Sequence, residues 1–233
     1  MELADRLADI QQRMAAACTR AGRAVDAVQL LAVSKTHPPE TVDKAIDLGL
    51  TLFGENRVQE AKAKIPRCSS RATWHMIGHL QSNKVRDAVE LFSMIEGVDS
   101  LRIAQEISNR AGQADKTLPL LLEVNVGGEA SKSGYAPEAL LAEVKKLAAL
   151  PNISVRGLMT VPPWKPMADQ VRPFFAKARE LKEQCEQILG NPLPHLSMGM
   201  SGDFEVAIEE GATLIRVGTA LFGERKKILR PQE

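Results

Sequence analysis

Lys35 closes a short apolar run, Leu31-Ala32-Val33-Ser34-Lys35. A lysine delivered by a buried strand into a concave site is partly desolvated. That disfavours the ammonium form and leaves an amine able to attack a carbonyl. The same lysine at a solvated strand end carries no chemistry. Two later tracts bear on the choice. Ser197-Met198-Gly199-Met200-Ser201-Gly202-Asp203 supplies glycines, whose backbone can approach an anion closely, and the hydroxyl of Ser201. A plain helix N-cap uses the same residue types, and the charge of Asp203 opposes an anion unless it points away. Leu214-Ile215-Arg216-Val217-Gly218-Thr219 sets an arginine inside an apolar strand, on the face of Leu214 and Gly218. A buried guanidinium is costly unless hydrogen-bonded. Gly218 and Thr219 then offer a backbone N–H and a hydroxyl. A reactive amine beside an anion cradle implies a ligand that carries both a carbonyl and a phosphate.

The elements that position these residues alternate. A leading helix spans Leu3 to Ala21, with apolar residues every three or four positions. A strand at Val28 to Ser34 follows, then a helix over Thr41 to Leu48, opened by Pro38-Pro39 and stopped by Gly49. Strands at Thr51–Gly54, Trp74–Gly78, Phe92–Val98, Leu118–Val126, Val155–Val161, His195–Met200 and Leu214–Gly218 are each followed by a helical segment, at Asn56–Lys64, Ser82–Leu91, Leu101–Ala111, Glu138–Leu150, Met167–Leu189, Asp203–Glu210 and just after Gly218. Alternation of this kind means a parallel sheet covered by helices. Eight units in about 205 residues fit a compact (β/α)8 TIM barrel. The rival is a doubly wound open sheet, which the lack of Gly-x-Gly-x-x-Gly after the first strand disfavours. In a barrel, strands one, seven and eight are neighbours, and phosphate is often held after the last two. No linker or low-complexity tract divides residues 1–233, so a single domain is expected.

Several segments together resemble the pyridoxal phosphate homeostasis protein family, also called YggS or PROSC, which is related to the N-terminal barrel of alanine racemase. They are Ala32-Val33-Ser34-Lys35, Phe53-Gly54-Glu55-Asn56-Arg57-Val58-Gln59-Glu60, Trp74 through Lys84, Gly157-Leu158-Met159, Ser197 through Ser201, and Arg216-Val217-Gly218-Thr219. The resemblance implies that Lys35 holds pyridoxal 5′-phosphate (PLP) as a Schiff base. It also implies that Ser201, Gly218 and Thr219 hold the phosphate, that Arg216 faces the pyridine nitrogen and that Asn56 contacts the cofactor. His79 lies in a family motif without an assigned role. Lys132, in Ser131-Lys132-Ser133-Gly134, matches a family loop lysine that contacts a second PLP, although a solvated loop lysine is the plainer expectation. Arginine does not give up its proton in proteins, so the ring nitrogen stays unprotonated and the ring is a weaker electron sink.

Alanine racemase adds a second domain and a catalytic tyrosine. This sequence continues only about ten residues past Gly223, and its one tyrosine, Tyr135, reads as an ordinary loop residue. A racemase needs acid–base groups on both faces of the substrate, and only Lys35 is evident. The resemblance therefore implies an intracellular PLP carrier or buffer, monomeric, with little or no turnover, that serves PLP-requiring apo-enzymes. A PLP-dependent amino-acid racemase or lyase is the alternative, and a lysine-dependent aldolase without cofactor is a third.

Composition excludes other classes. Lysine plus arginine is 30 against 29 acidic residues, which offers no broad grip on nucleic acid or anionic membrane. No apolar run reaches the roughly 18 residues of a membrane span, and the N-terminus lacks the apolar stretch of a secretory signal. The 3 cysteines, Cys18, Cys68 and Cys185, are far apart. They suggest spare thiols in a reducing cytoplasm rather than a disulfide framework. His75 and His79 have His-x-x-x-His spacing, but in a strand that spacing spans about 13 Å, so no metal site is expected.

Overall fold

The computed structural model describes residues 2–223. The ends of the expected single domain, residue 1 and residues 224–233, lie outside the described residues. Helix α1 (Leu3–Arg20) leads, with Glu2 and Asp5 forming a reciprocal cap at its start. The alternating units follow. They are β1 (Gln29–Val33) and α2 (Pro39–Asp47), β2 (Leu52–Glu55) and α3 (Val58–Lys64), β3 (Thr73–Met76) and α4 (Val85–Leu91), and β4 (Met94–Val98) and α5 (Leu101–Gln113). Then come β5 (Leu118–Glu123) and α6 (Pro137–Ala148), β6 (Ile153–Met159) and α7 (Arg172–Leu189), β7 (His195–Ser197) and α8 (Phe204–Glu209), and β8 (Leu214–Val217) and α9 (Thr219–Phe222). The strands close into a parallel barrel in sequence order, β8 pairing with β1. The open-sheet alternative is thereby excluded.

Local chemistry explains the boundaries. Proline opens α2 and α6, where its missing N–H costs nothing. The Ser100 hydroxyl accepts from the Ile103 N–H and caps α5. Gly190, left-handed at φ 73°, ends α7. Two helices begin with 3-10 turns where the sequence pattern suggests α-helix. Ser82–Lys84 and Ala168–Val171 are 3-10 turns that lead into α4 and α7, Pro173 falling in the first turn of α7. Helix α3 begins at Val58, so Asn56 and Arg57 belong to the loop after β2.

Strand alternation sorts the core. Phe53, Trp74, Ile95 and Leu120 face outward, into the layer between barrel and helices. Met94, Leu121, Met159 and Leu214 fill one part of the interior, and Leu31, Val33 and Ile77 another. Helix α1 lies over α8 and α9, the helices that follow the last two strands. It buries Leu7, Ile10, Met14 and Ala17 and pairs Arg13 with Glu205 at 2.7 Å. The Gly157 of β6 is required by strand proximity: a Cβ there would fall on the His195 carbonyl of β7. Gly157→Ala is expected to destabilise the barrel by roughly 3 kcal/mol or more, since backbone rather than a side chain would have to move. Chemical denaturation measures this directly.

Candidate active site

Lys35 does not end β1. The strand stops at Val33, and Lys35 sits in a turn two residues on, followed by Thr36 in the left-handed region at φ 68°. The cause is a buried polar cluster behind the turn. Lys64 of α3, only 5% exposed, donates to the Ser34 carbonyl at 2.8 Å, to Glu55 at 2.7 Å and to Glu60 at 2.9 Å. Ser34 Oγ donates to the same Glu55 oxygen at 2.7 Å, and the Thr36 N–H donates to Glu60. Burial pushes the Glu55 carboxyl above its ordinary range, against the pull of Lys64. The sequence gives no hint of this clamp, because a lysine in a helix of alternating charge reads as solvated.

The loops after β7 and β8 meet beside that turn. Register pairs Leu31 with Arg216 and Ala32 with Val217, so Gly218 and Thr219 emerge next to Val33 and Ser34. Ser201 Oγ accepts from the Ala220 N–H at 3.1 Å and the Gly199 carbonyl accepts from the Arg216 N–H at 3.0 Å, which ties the two loops together. Gly199 lies at φ 91° against Phe204 and Ala207, a turn no side chain tolerates. The Asp203 carboxylate accepts from the Met200 N–H at 2.6 Å, and burial raises its pKa. The carboxylate is turned to the loop backbone and does not line the adjoining cavity, so it points away from an anion there.

A cavity of about 510 Å³ gathers these parts, within the range of small-ligand sites. Lys35, Asn56, Ser201, Arg216, Gly218 and Thr219 all line it. The six residues expected from sequence therefore share one space. The structure adds wall residues that sequence reasoning missed, among them His37, in a tilted ring contact 4.9 Å from Phe222, Ile77 after β3, and Trp164. Trp164 belongs to the loop after β6 and is 84% exposed at the mouth. Apolar strand ends or long loops were the only available signals for them.

Arg216 is buried in the lumen, with 4% of its surface exposed. Its Nη1 donates to Ser197 Oγ at 2.6 Å and its Nη2 to the Thr160 carbonyl at 2.7 Å. The buried Oδ1 of Asn56 has no hydrogen-bond partner among the described residues, so a ligand donor or water would satisfy it. Amine, guanidinium, two hydroxyls and glycine backbone form a donor set suited to an aldehyde that bears a phosphate and an aromatic ring nitrogen. PLP fits this donor set.

Other singled-out residues lie elsewhere. His75 pairs with Glu96 at 2.7 Å and His79 with Asp99 at 2.9 Å, so the two rings answer to different carboxylates. Tyr135 is not an ordinary loop residue. It is buried, bridges to Val124 of the β5 loop and lies outside the cavity wall. Burial and the nearby Glu143 push its phenol well above the usual range. Lys132 is not simply solvated either, since it donates to the Pro162 carbonyl at 2.9 Å and joins the loops after β5 and β6.

The geometry defines a class: a (β/α)8 barrel with a lysine beyond strand one, beside a hydroxyl- and glycine-lined rim after strands seven and eight. The family model described as alanine racemase, N-terminal domain, matches residues 6–226. The pyridoxal phosphate homeostasis protein of Aquifex aeolicus is 46% identical over 227 residues, covering 97% of this chain and 100% of that protein. Its Pseudomonas aeruginosa counterpart is 45% identical over 224 residues, 96% of each chain. PipY of Synechococcus elongatus PCC7942, solved with PLP bound, is 40% identical at a TM-score of 0.84, covering 95% of this chain and 100% of that one. The chain belongs to the pyridoxal phosphate homeostasis protein family.

Proposed function

We propose that this protein binds PLP as a Schiff base on Lys35 and acts in vitamin B6 homeostasis as a carrier or buffer with little or no turnover. The observation that carries this reading is the single cavity shared by Lys35, the Ser201–Gly218–Thr219 rim and Arg216. PLP supplies an electrophilic aldehyde. The chain's own groups do the rest: Lys35 holds the carbonyl carbon, Ser201, Thr219 and the Gly218 backbone hold the phosphate, Asn56 orients the ring and Arg216 keeps a permanent cation at the ring nitrogen. Among the described wall residues, Lys35, His37 and Arg216 are the ionisable ones. That set is sparse for two-sided proton transfer.

The test is the absorption spectrum of purified protein, followed by borohydride reduction and peptide mapping, with PLP expected on Lys35. Replacing Ser201 and Thr219 together by alanine removes two hydrogen bonds to an anion. PLP affinity is expected to fall by roughly a hundredfold, with fluorescence titration as the measurement. Unchanged affinity would remove both residues from the phosphate site.

A second reading, an amino-acid racemase or lyase, is favoured only by His37, which shares the wall with Lys35. Incubation with L- or D-alanine, followed by chirality, distinguishes it. Loss of chirality that depends on Lys35 would replace the carrier reading. The described helices include none long and apolar enough to cross a membrane. Three free thiols suit a reducing cytoplasm. A single-domain monomer that passes PLP to apo-enzymes completes the proposal.

A further inference from the structure

A buried polar chain crosses the barrel interior under the site. Arg216 donates to Ser197 Oγ, Ser197 Oγ donates to Glu96 Oε2 at 2.5 Å, and Glu96 Oε1 is 2.7 Å from His75 Nδ1. The four residues come from β8, β7, β4 and β3, and Glu96 and Ser197 are 0% exposed. No described carboxylate forms an ion pair with Arg216 directly, so its two protein acceptors are a hydroxyl and a carbonyl. A guanidinium in such a place is costly unless its charge is answered, and the carboxylates that act on it through space are Glu96, then Glu123 and Asp203.

Hydrogen count fixes the direction of the chain. A serine hydroxyl has one proton. It accepts from Arg216, which has only protons to give, so it donates to Glu96. Glu96 then accepts on one oxygen from Ser197 and on the other from His75. Both bonds suit the ionised carboxylate. Burial pushes that carboxyl up, but His75, Arg216 and Ser197 outweigh it and hold it below its ordinary range.

We propose that Ser197 and Glu96 are positioning residues for Arg216. They fix its guanidinium in one orientation toward the cavity and place a relayed negative charge behind it, and His75 orients Glu96. This rests on the PLP reading above. The ring nitrogen of bound PLP then faces a cation whose field is partly offset from within the barrel, and the electronic state of the bound cofactor depends on residues that never touch it.

The experiment uses the full chain reconstituted with PLP, as wild type and as Ser197→Ala, Ser197→Thr and Glu96→Gln. The readouts are the absorption band of bound cofactor, its affinity, and borohydride trapping at Lys35. Ser197→Ala is expected to retain trapping at Lys35, shift the cofactor band and weaken PLP binding by about tenfold, the effect of a lost hydrogen bond to a charged group. Ser197→Thr keeps the hydroxyl and restores both. Glu96→Gln keeps the shape, removes the charge and also shifts the band. A merely structural role would lower the melting temperature without moving the band of cofactor still bound. Unchanged band and affinity in Ser197→Ala, with wild-type trapping, would overturn the proposal while leaving the PLP reading intact. If Ser197→Ala does not fold, Glu96→Gln decides on the same readouts. Wild-type protein saturated with PLP yet unmodified at Lys35 would overturn both.

Discussion

Lys35→Ala is expected to abolish reductive fixation of PLP while leaving the barrel folded. The residue sits in a turn beyond β1, outside the packed clusters, so its truncation is expected to cost about 1 kcal/mol or less. The rim after β7 and β8 is untouched, and its hydroxyls and backbone still offer an anion site. Affinity for inorganic phosphate, which has no carbonyl, is therefore expected to fall only a few-fold, by loss of one nearby cation. The PLP band and the borohydride-stable adduct are expected to vanish. Lys35→Arg sharpens the comparison, because it keeps a cation at the turn but has no amine able to form an imine. Binding that Arg restores is electrostatic, and trapping that it does not restore is covalent. Mass spectrometry of reduced, digested protein measures both variants. An adduct on another lysine, Lys132 or Lys64 included, would move the reactive amine out of the 510 Å³ cavity and end the reading of that cavity as the covalent site.

The eight alternating units and the order of the three critical strands were legible because each rests on local pattern. Apolar runs of four to nine residues separated by helical spacing leave few topologies, and right-handed parallel closure is the compact one. Boundaries were less legible where side chains reach across the fold. Ser34 extends the apolar run in sequence, yet its carbonyl and hydroxyl are taken by Lys64 and Glu55, and the chain turns. Asn56 follows β2 directly and reads as a helix start, yet it belongs to the wall of the cavity.

The site residues were legible for a different reason. Lys35, Arg216 and the Ser201–Gly202 and Gly218–Thr219 pairs are out of character for their surroundings: a cation after or inside an apolar strand, glycines where a strand hands over to a helix. What sustains them was hidden. Glu96 sits in Met94-Ile95-Glu96-Gly97-Val98, and nothing in that run names its partners, which come from strands about 20 residues before it and about 100 after. Buried polar networks are long-range by construction. Each member is locally a fault in a hydrophobic pattern, and only closure of the barrel shows that the faults satisfy one another.

The Lys64 clamp gives the largest stability effect to be expected. Glu55 is 0% exposed and Lys64 5%, and the pair also holds Ser34 and, through Glu60, Thr36. Lys64→Met keeps the apolar stem but leaves Glu55 buried without its cation. Removing one member of such a pair costs about 3–5 kcal/mol. For a chain of this size each kcal/mol lowers the melting temperature by about 2–4 °C, so a fall of roughly 10 °C is expected in calorimetry. Adding Glu55→Leu to Lys64→Met removes the stranded carboxylate as well. The double variant is expected to recover most of the loss, because the penalty lies in the unanswered charge and not in the absent bond. The functional readout separates from the stability one. With Ser34 released and Glu60, which holds Thr36, no longer anchored by Lys64, Lys35 has a less fixed approach to the cavity, and the double variant is expected to trap PLP more slowly than wild type even where it is equally folded. Wild-type trapping rates in a stable double variant would show that the clamp serves the fold alone.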